Sequence, residues 1–233
     1  MQKRTLPRDP GSENITQEGA EEMANANITK KELAESLKKL ASGKLFEQVT
    51  VGDIVKECGV NRQTFYYHFS DKYELLDWIY YNETFVPLTA DISFGNWDEK
   101  LYELLQIMRK NRAFYMNTIK CSNNFFEEYL LKMLTTLFET AVEDLDVRKQ
   151  LTPEKKRLAS KIFAHGLTGV VIEWAMGGMK ADEKVLAENM KELVENIERL
   201  SYYIYQYKNN MITETEIPST LPVLPEISPK KDA

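Results

Sequence analysis

Residues 50–69 combine helix-capping side chains with hydrogen-bonding side chains on the outside of a predicted helix. Thr50 suits an N-cap, and Asp53 stands three positions later, where its carboxylate can return a hydrogen bond to the cap. Gly59 ends this first short helix, and Asn61 is placed to cap a second one. The second helix carries polar and aromatic side chains that hydrogen-bond to base edges and phosphates in a major groove. The pattern predicts a helix-turn-helix, with the DNA-binding residues Thr50, Arg62, Gln63, Thr64, Tyr66, Tyr67, His68 and Lys72.

All of these side chains except His68 divide into two groups by the chemistry of their contacts. Arg62 and Gln63 open the second helix, and both form hydrogen-bond pairs that distinguish one base from another, so we expect them to read bases. A helical hairpin with no role in DNA binding is the alternative to this interpretation. We expect the other group mostly to hold phosphates, and it consists of Thr50, Thr64, Tyr66, Tyr67 and Lys72.

The same segment resembles the helix-turn-helix of the TetR family of bacterial transcription regulators. Segments 62–66 and 75–79 are most similar to its DhaS-type subgroup, which consists of activators of dihydroxyacetone kinase operons. The resemblance is strong over residues 28–80 and weaker beyond them. It implies a dimer whose subunits meet through their last two helices. The resemblance is carried by Thr50-Val51, Ile54, Gly59-Val60, Thr64-Phe65-Tyr66, His68-Phe69 and Asp71-Lys72-Tyr73-Glu74-Leu75-Leu76.

Catalytic and metal chemistry have little support in the sequence. The chain contains no GxSxG, GxxxxGK[ST], GxGxxG or HExxH motif. Its two histidines are His68, inside the DNA-reading motif, and His165, on a predicted helix. Cys58 and Cys121 stand far apart without the spacing of metal ligands, and we expect reduced thiols. We therefore expect no enzyme, no cofactor and no metal site.

Charge and hydropathy point to a protein in the cytoplasm that meets DNA through one end. The net charge is −6, but residues 28–72 hold eight basic and six acidic side chains, so this segment is +2 and the remainder −8. An acidic body repels DNA while a mildly basic head attracts it. No apolar run is long enough to span a membrane, and the N-terminus has no signal-peptide pattern. We expect no membrane partner.

Helical periodicity fills the chain between two polar ends, so we expect an all-α fold. The N-terminal part is a three-helix helix-turn-helix DNA-binding domain, and the C-terminal part is a helical dimerisation and effector domain. A first helix is predicted from Thr29 to Gly43, and a fourth from Asp71 to Val86 because Pro87 should stop it. The expected divisions are a disordered tail at 1–27, the DNA-binding domain at 28–72, the regulatory domain at 73–211 and a Pro-rich disordered tail at 212–233.

The last predicted helix carries apolar residues at alternating spacings of four and three. A period of 3.5 marks a seam for another helix. The last two helices can pack through such apolar faces within one chain, or they can form a four-helix bundle with the same two helices of a second subunit. We favour the homodimer, because one head covers only half of a palindromic operator. The predicted dimer residues are Leu186, Met190, Leu193, Ile197, Leu200 and Ile204.

Aromatic residues are concentrated in the middle helices. This concentration predicts either an ordinary hydrophobic core or a pocket for a small apolar effector. We interpret the sequence as that of a DNA-binding regulator of the TetR type, a repressor released by an effector. One alternative is an activator triggered by a partner protein, as the DhaS-type resemblance implies, and another is an interaction protein whose head no longer binds specific DNA. The candidate pocket residues are Trp97, Tyr102, Phe114, Tyr115, Phe126, Tyr129 and His165.

Overall fold

A computed structural model of the protein describes residues 17–121, 124–146, 151–208 and 211. Every regular element in these ranges is helical, which confirms the predicted all-α fold. The chain divides into two compact units between Leu76 and Asp77. We call the described residues up to Leu76 the head and the described residues from Asp77 the body. This division lies four residues beyond the boundary predicted at Lys72.

The head consists of four helices and one short turn. They are α1 (Gln17–Gly43), a 3-10 turn (Phe46–Gln48), α2 (Val51–Cys58), α3 (Arg62–His68) and the first part of α4 (Lys72–Ile79). Helix α1 packs on α2 and α3, so the two short helices share one apolar support. The fully buried side chains at its centre are Leu33, Leu37, Phe46, Ile54, Phe65, Leu75 and Leu76.

Helix α1 begins twelve residues before the position that the sequence predicted. It starts at Gln17 and runs straight through Thr29, which therefore does not cap it. Residues 18–26 are rich in alanine and glutamate, which favour helix strongly enough to extend it without an apolar face. Residues 17–27 of the predicted disordered tail are thus helical, while residues 1–16 and 212–233 lie outside the described ranges.

The prediction that Pro87 stops the fourth helix was wrong. Helix α4 continues into a π-helical segment at Tyr80–Phe85 and then into α5 (Val86–Thr89), with Pro87 in its first turn. The amide of Val86 bonds to the carbonyl of Tyr81, five residues back. Because this wide turn already interrupts the usual bonding ladder, the missing N–H of Pro87 costs little at this point.

The body contains the remaining helices. Thr152 caps α9 with Pro153 in its first turn, and the Asp182 side chain accepts hydrogen bonds from backbone amides at the start of α10. Helix α8 packs mainly against α9, and α10 packs against α6. No helix in the described ranges has both the length and the apolarity to cross a bilayer. The elements are α6 (Trp97–Lys110), α7 (Arg112–Thr118), a 3-10 turn (Ile119–Cys121), α8 (Phe125–Leu145), α9 (Pro153–Met176) and α10 (Glu183–Lys208).

Candidate nucleic-acid interface

A reciprocal cap fixes the start of α2. The Thr50 hydroxyl oxygen accepts a hydrogen bond from the Asp53 amide at 3.1 Å, and the Asp53 carboxylate accepts one from the Thr50 amide at 2.9 Å. The Lys44 ammonium donates to the same carboxylate at 2.9 Å. This bond, followed by those from Thr50, lowers the pKa of Asp53 to about 2. The carboxylate therefore stays ionised at neutral pH, and the cap holds α2 in a fixed orientation.

The turn between α2 and α3 follows the chemistry that the sequence predicted. Gly59 ends α2 with φ at 77°, a left-handed conformation that glycine adopts without strain. Asn61 then caps α3, because its side-chain oxygen accepts a hydrogen bond from the Thr64 amide at 2.8 Å. The Thr64 hydroxyl donates to the same oxygen at 3.1 Å. Both ends of the turn are thus bonded, and the two helices form a firm unit.

Helix α3 buries one face and presents the other to solvent. Phe65 is fully buried, whereas Arg62 and Gln63 are exposed at its first turn. Tyr66 is 56% exposed and Tyr67 74% exposed, so both hydroxyl groups are open to a ligand. This face joins five guanidinium donors, an amide and two phenols on one short helix, which is the donor set that reads base edges and phosphates.

Two of the predicted DNA-binding residues are less open. Thr64 and His68 are half-buried, and the Thr64 hydroxyl is already bonded to Asn61. Burial, followed by the nearby Lys30 ammonium, lowers the pKa of His68 below its usual value. At neutral pH the imidazole is therefore uncharged, so it can offer a hydrogen bond but no positive charge.

Lys72 is bonded to the backbone of its own domain. Its ammonium donates to the carbonyls of Phe46, Glu47 and Val49 at 2.9, 3.0 and 2.8 Å, and it lies 4.7 Å from the centre of the Phe46 ring. An ammonium group has three protons, so these three hydrogen bonds use all of them. Lys72 thus ties the 3-10 turn to the start of α4, and its contact with phosphate stays a prediction.

Lys72→Met should destabilise the head, because it keeps the aliphatic stem but leaves three carbonyls without their charged donor. We expect a loss of about 2 kcal/mol in the local free energy of opening. Hydrogen exchange of the peptides covering residues 46–58 measures this loss. Lys56→Met, at an exposed position of α2, is the matched control. Unchanged exchange together with a weaker salt dependence of DNA binding would instead assign Lys72 to a phosphate.

Part of the predicted effector site forms one aromatic cluster in the body. Phe114, Tyr115 and Phe126 are buried against Tyr80, and the distances between the ring centres of contacting pairs among these four residues are 5.2 to 6.1 Å. The Tyr80 hydroxyl donates to Thr118 at 2.7 Å, so its polar end is satisfied. We call these four aromatic residues the central cluster. It packs as core does, with no polar end left unbonded among these rings.

The other predicted pocket residues are dispersed. Trp97 is buried beside Phe138, 6.1 Å between ring centres, outside the central cluster. Tyr102 and Tyr129 are half-buried, and His165 is exposed on α9. Tyr129 lies at the cluster's edge against Tyr81 and Phe85. Burial and then the Asp77 carboxylate raise the pKa of the Tyr129 hydroxyl to about 12, so it remains a hydrogen-bond donor at neutral pH.

Two family models match the sequence in the order head, then body. Residues 35–79 match the model for bacterial regulatory proteins of the tetR family, and residues 95–196 match the model for a transcriptional regulator C-terminal region. The first match contains α2, the turn and α3 with all the capping bonds described above. The chain belongs to the TetR family of transcriptional regulators.

Similar proteins within the TetR family include DhaS. The HTH-type dhaKLM operon transcriptional activator DhaS of Lactococcus lactis subsp. lactis is 30% identical over 122 residues, which is 52% of this chain and 65% of the relative. The solved dihydroxyacetone kinase operon activator DhaS is 26% identical, with a TM-score of 0.60, covering 74% of this chain and 97% of that one. The fatty acid degradation regulator FadR from Bacillus halodurans shares the fold, at 21% identity and a TM-score of 0.51 over 71% of this chain and 93% of that one.

The predicted seam on α10 divides between two faces of the helix. Met190 is 5% exposed and packs within the chain, whereas Leu193 and Ile197 are 40% and 38% exposed. Leu186 and Leu200 are half-buried, and the side chain of Ile204 lies outside the described residues. Only part of the seam is therefore open to a second subunit.

Helix α9 carries a second exposed apolar face. Leu158 and Ile162 are 60% and 62% exposed, one turn apart, and Val170 follows two turns later. Added Cβ atoms at Gly166 and Gly169 would meet nothing within 4 Å, so a neighbouring helix can approach there closely. Leu158 and Ile162 are not among the predicted dimer residues, although their spacing of four on a helix with a polar first turn was the available signal.

Proposed function

We propose that this TetR-family protein is a transcription regulator that binds an inverted-repeat DNA site as a homodimer. The exposed first turn of α3, with Arg62 and Gln63 on a helix capped at its start by Asn61, is the observation that carries the proposal. A short, firmly held helix with these donors fits the major groove. DNA is the expected partner, and the described residues include no group of three or more potential metal ligands.

The proposed contacts follow from exposure. Arg62 and Gln63 read base edges, while Tyr66 and Tyr67 hold phosphates through hydroxyl groups that face solvent. The Thr50 hydroxyl donates to Asp53 at 2.9 Å, so a phosphate would compete with that carboxylate for its proton. We therefore propose that contacts of α3 provide the sequence-specific part of the binding free energy. Contacts of α2 provide a smaller part, which orients the head on DNA.

The homodimer is supported by the open apolar faces of α9 and α10. Leu158, Ile162, Leu193 and Ile197 are all more than a third exposed in the single chain. Burying such side chains against a second copy is favourable in proportion to the apolar area removed from water. Two heads held together then bind two half-sites, and the joint affinity exceeds that of either head.

The protein either represses or activates a nearby operon. Repression is the outcome expected first from the sequence, but both similar DhaS proteins are named as operon activators. Their names support activation of a nearby operon in this protein too. Activation and repression are distinguished by measuring transcription with and without the protein. The promoter used carries the DNA site that the protein selects from a random pool.

The trigger is proposed to act on the body through the edge of the central cluster. Tyr129 is half-buried there, and burial followed by a hydrogen bond to the Asp77 carboxylate raises the pKa of its hydroxyl, so a ligand or partner protein would compete with Asp77 for the hydroxyl proton. A ligand changes DNA binding only if its affinity differs between two arrangements of the dimer. A small molecule and a partner protein can therefore be tested in the same way, by measuring the change that each causes in affinity for the selected DNA site.

Arg62→Ala should reduce affinity for the selected DNA site by about 1–3 kcal/mol and relax the preference at one base pair of each half-site. Selection from a random double-stranded DNA pool identifies the site, and fluorescence anisotropy measures both affinities at one salt concentration. Lys56→Ala is the control for lost positive charge without lost base reading. Equal weakening on the selected site and on random DNA would remove base reading from Arg62. A wild-type protein that selects no motif would favour the interaction-protein alternative.

A further inference from the structure

Gly52 lies in the first turn of α2, directly under the Arg62 guanidinium. A Cβ atom built at Gly52 would be 3.0 Å from Arg62 Nη2, 3.5 Å from Thr50 Oγ1 and 3.9 Å from Arg62 Cζ. Separations near 3.0 Å are tighter than almost all real contacts of a Cβ atom, so even a methyl group would move the guanidinium. The close approach joins α2 to α3 at the exposed edge of the head.

The backbone does not require glycine at this position. Gly59 and Gly178 have positive φ, but Gly52 lies within a regular helix whose dihedral angles suit any residue. Glycine inside a helix is less stable than alanine. The feature that distinguishes Gly52 from Gly43, the glycine at the end of α1, is the guanidinium above it, since a Cβ at Gly43 would meet nothing within 4 Å.

We propose that Gly52 is a specificity-determining position, because its missing side chain lets the Arg62 guanidinium lie against α2 and sets the place from which it reaches a base. This inference rests on the proposed function. The N-terminal end of α2 carries partial positive charge, which disfavours a resting guanidinium. Hydrogen-bond acceptors on a base edge relieve that repulsion. The guanidinium of the free protein therefore lies close to the position that it needs for DNA binding, and it is not held there strongly.

Two-point bonding makes the position of the guanidinium matter. Arg pairs with a guanine through two hydrogen bonds in one plane, and displacement of the fork by a few tenths of an ångström degrades both. The long side chain of Arg62 absorbs the displacement, so a substitution at Gly52 leaves the head folded. The expected defect is therefore in base preference and not in stability.

The test is a set of full-length variants: wild type, Gly52→Ala, Arg62→Ala, the double variant and the control Gly43→Ala. Each is used for selection from a random DNA pool and then titrated on the wild-type site and on random DNA. Gly52→Ala should bind the wild-type site about five- to tenfold more weakly, within the range that one base contact provides. Its preference should relax at the base pair that Arg62→Ala also relaxes, while Gly43→Ala matches wild type.

The double variant shows whether the effect of Gly52→Ala on DNA binding depends on Arg62. If Gly52 acts through Arg62, adding Gly52→Ala to Arg62→Ala should cause no further loss, since coupled residues are not additive. Equal loss in both backgrounds, or a wild-type motif selected by Gly52→Ala, would overturn the inference while leaving Arg62 as a base reader. Absence of any motif with wild-type protein would overturn the proposed function and the inference with it.

Discussion

Replacing Leu193 and Ile197 together with glutamate should convert the dimer into monomers and lower affinity for the selected DNA site about a hundredfold or more. Both side chains are partly exposed in the single chain, so the carboxylates disturb its own core little. In a dimer the same carboxylates would be buried between apolar helices, at a cost of several kcal/mol. Analytical ultracentrifugation measures the mass, and anisotropy measures the affinity.

Leu145→Glu is the matched control for this experiment. Leu145 is 54% exposed at the end of α8 and is not one of the residues of α9 and α10 that we assign to the dimer. It should remain dimeric with wild-type affinity. A Leu193/Ile197 double variant that stays folded and dimeric would place the interface elsewhere, and Ile162→Glu would then test α9 alone.

Phe126→Ala should lower the free energy of unfolding of the body by about 3–5 kcal/mol, the usual cost of deleting a buried phenyl ring. Phe126 is fully buried, and its ring centre lies 5.3 Å from that of Tyr80 and 5.2 Å from that of Phe85. This burial favours the core interpretation of Phe126 over a place in an effector pocket. Chemical denaturation followed by circular dichroism measures the loss.

Tyr129→Phe is the variant to compare with Phe126→Ala. It removes one hydroxyl at the half-buried edge of the central cluster, and the ring contacts with Tyr81 and Phe85 remain. We expect near wild-type stability and, if the trigger acts there, an altered response to it. The pocket interpretation would regain support if Phe126→Ala kept its stability and lost only the response.

The head was predictable because local chemistry defines it. Thr50 with Asp53, Gly59 and Asn61 specify caps and a turn within a few residues of one another, and each forms the predicted bond. The role of Lys72 was not predictable in the same way. Its ammonium bonds to carbonyls 23 to 26 residues earlier in the chain, and only tertiary packing brings those groups together.

The body was harder to predict because burial there depends on packing between helices. Phe126 and His165 both entered the candidate pocket, yet one is fully buried and the other is exposed. A spacing of 3.5 likewise grouped Met190 with Leu193, although the two side chains point to different environments. Periodicity identifies an apolar face but not its partner, since a neighbouring helix and a second subunit impose the same pattern.

The central claim is that two heads of one dimer bind two half-sites of an inverted repeat. The most direct test is to titrate the full-length protein onto three duplexes: the selected repeat, the repeat with one half-site scrambled, and the repeat with the half-sites moved apart by five base pairs. We predict that a dimer binds the intact repeat and that both altered duplexes bind at least about a hundredfold more weakly, because half-site spacing is fixed by the protein. Equal affinity for all three duplexes would contradict the claim.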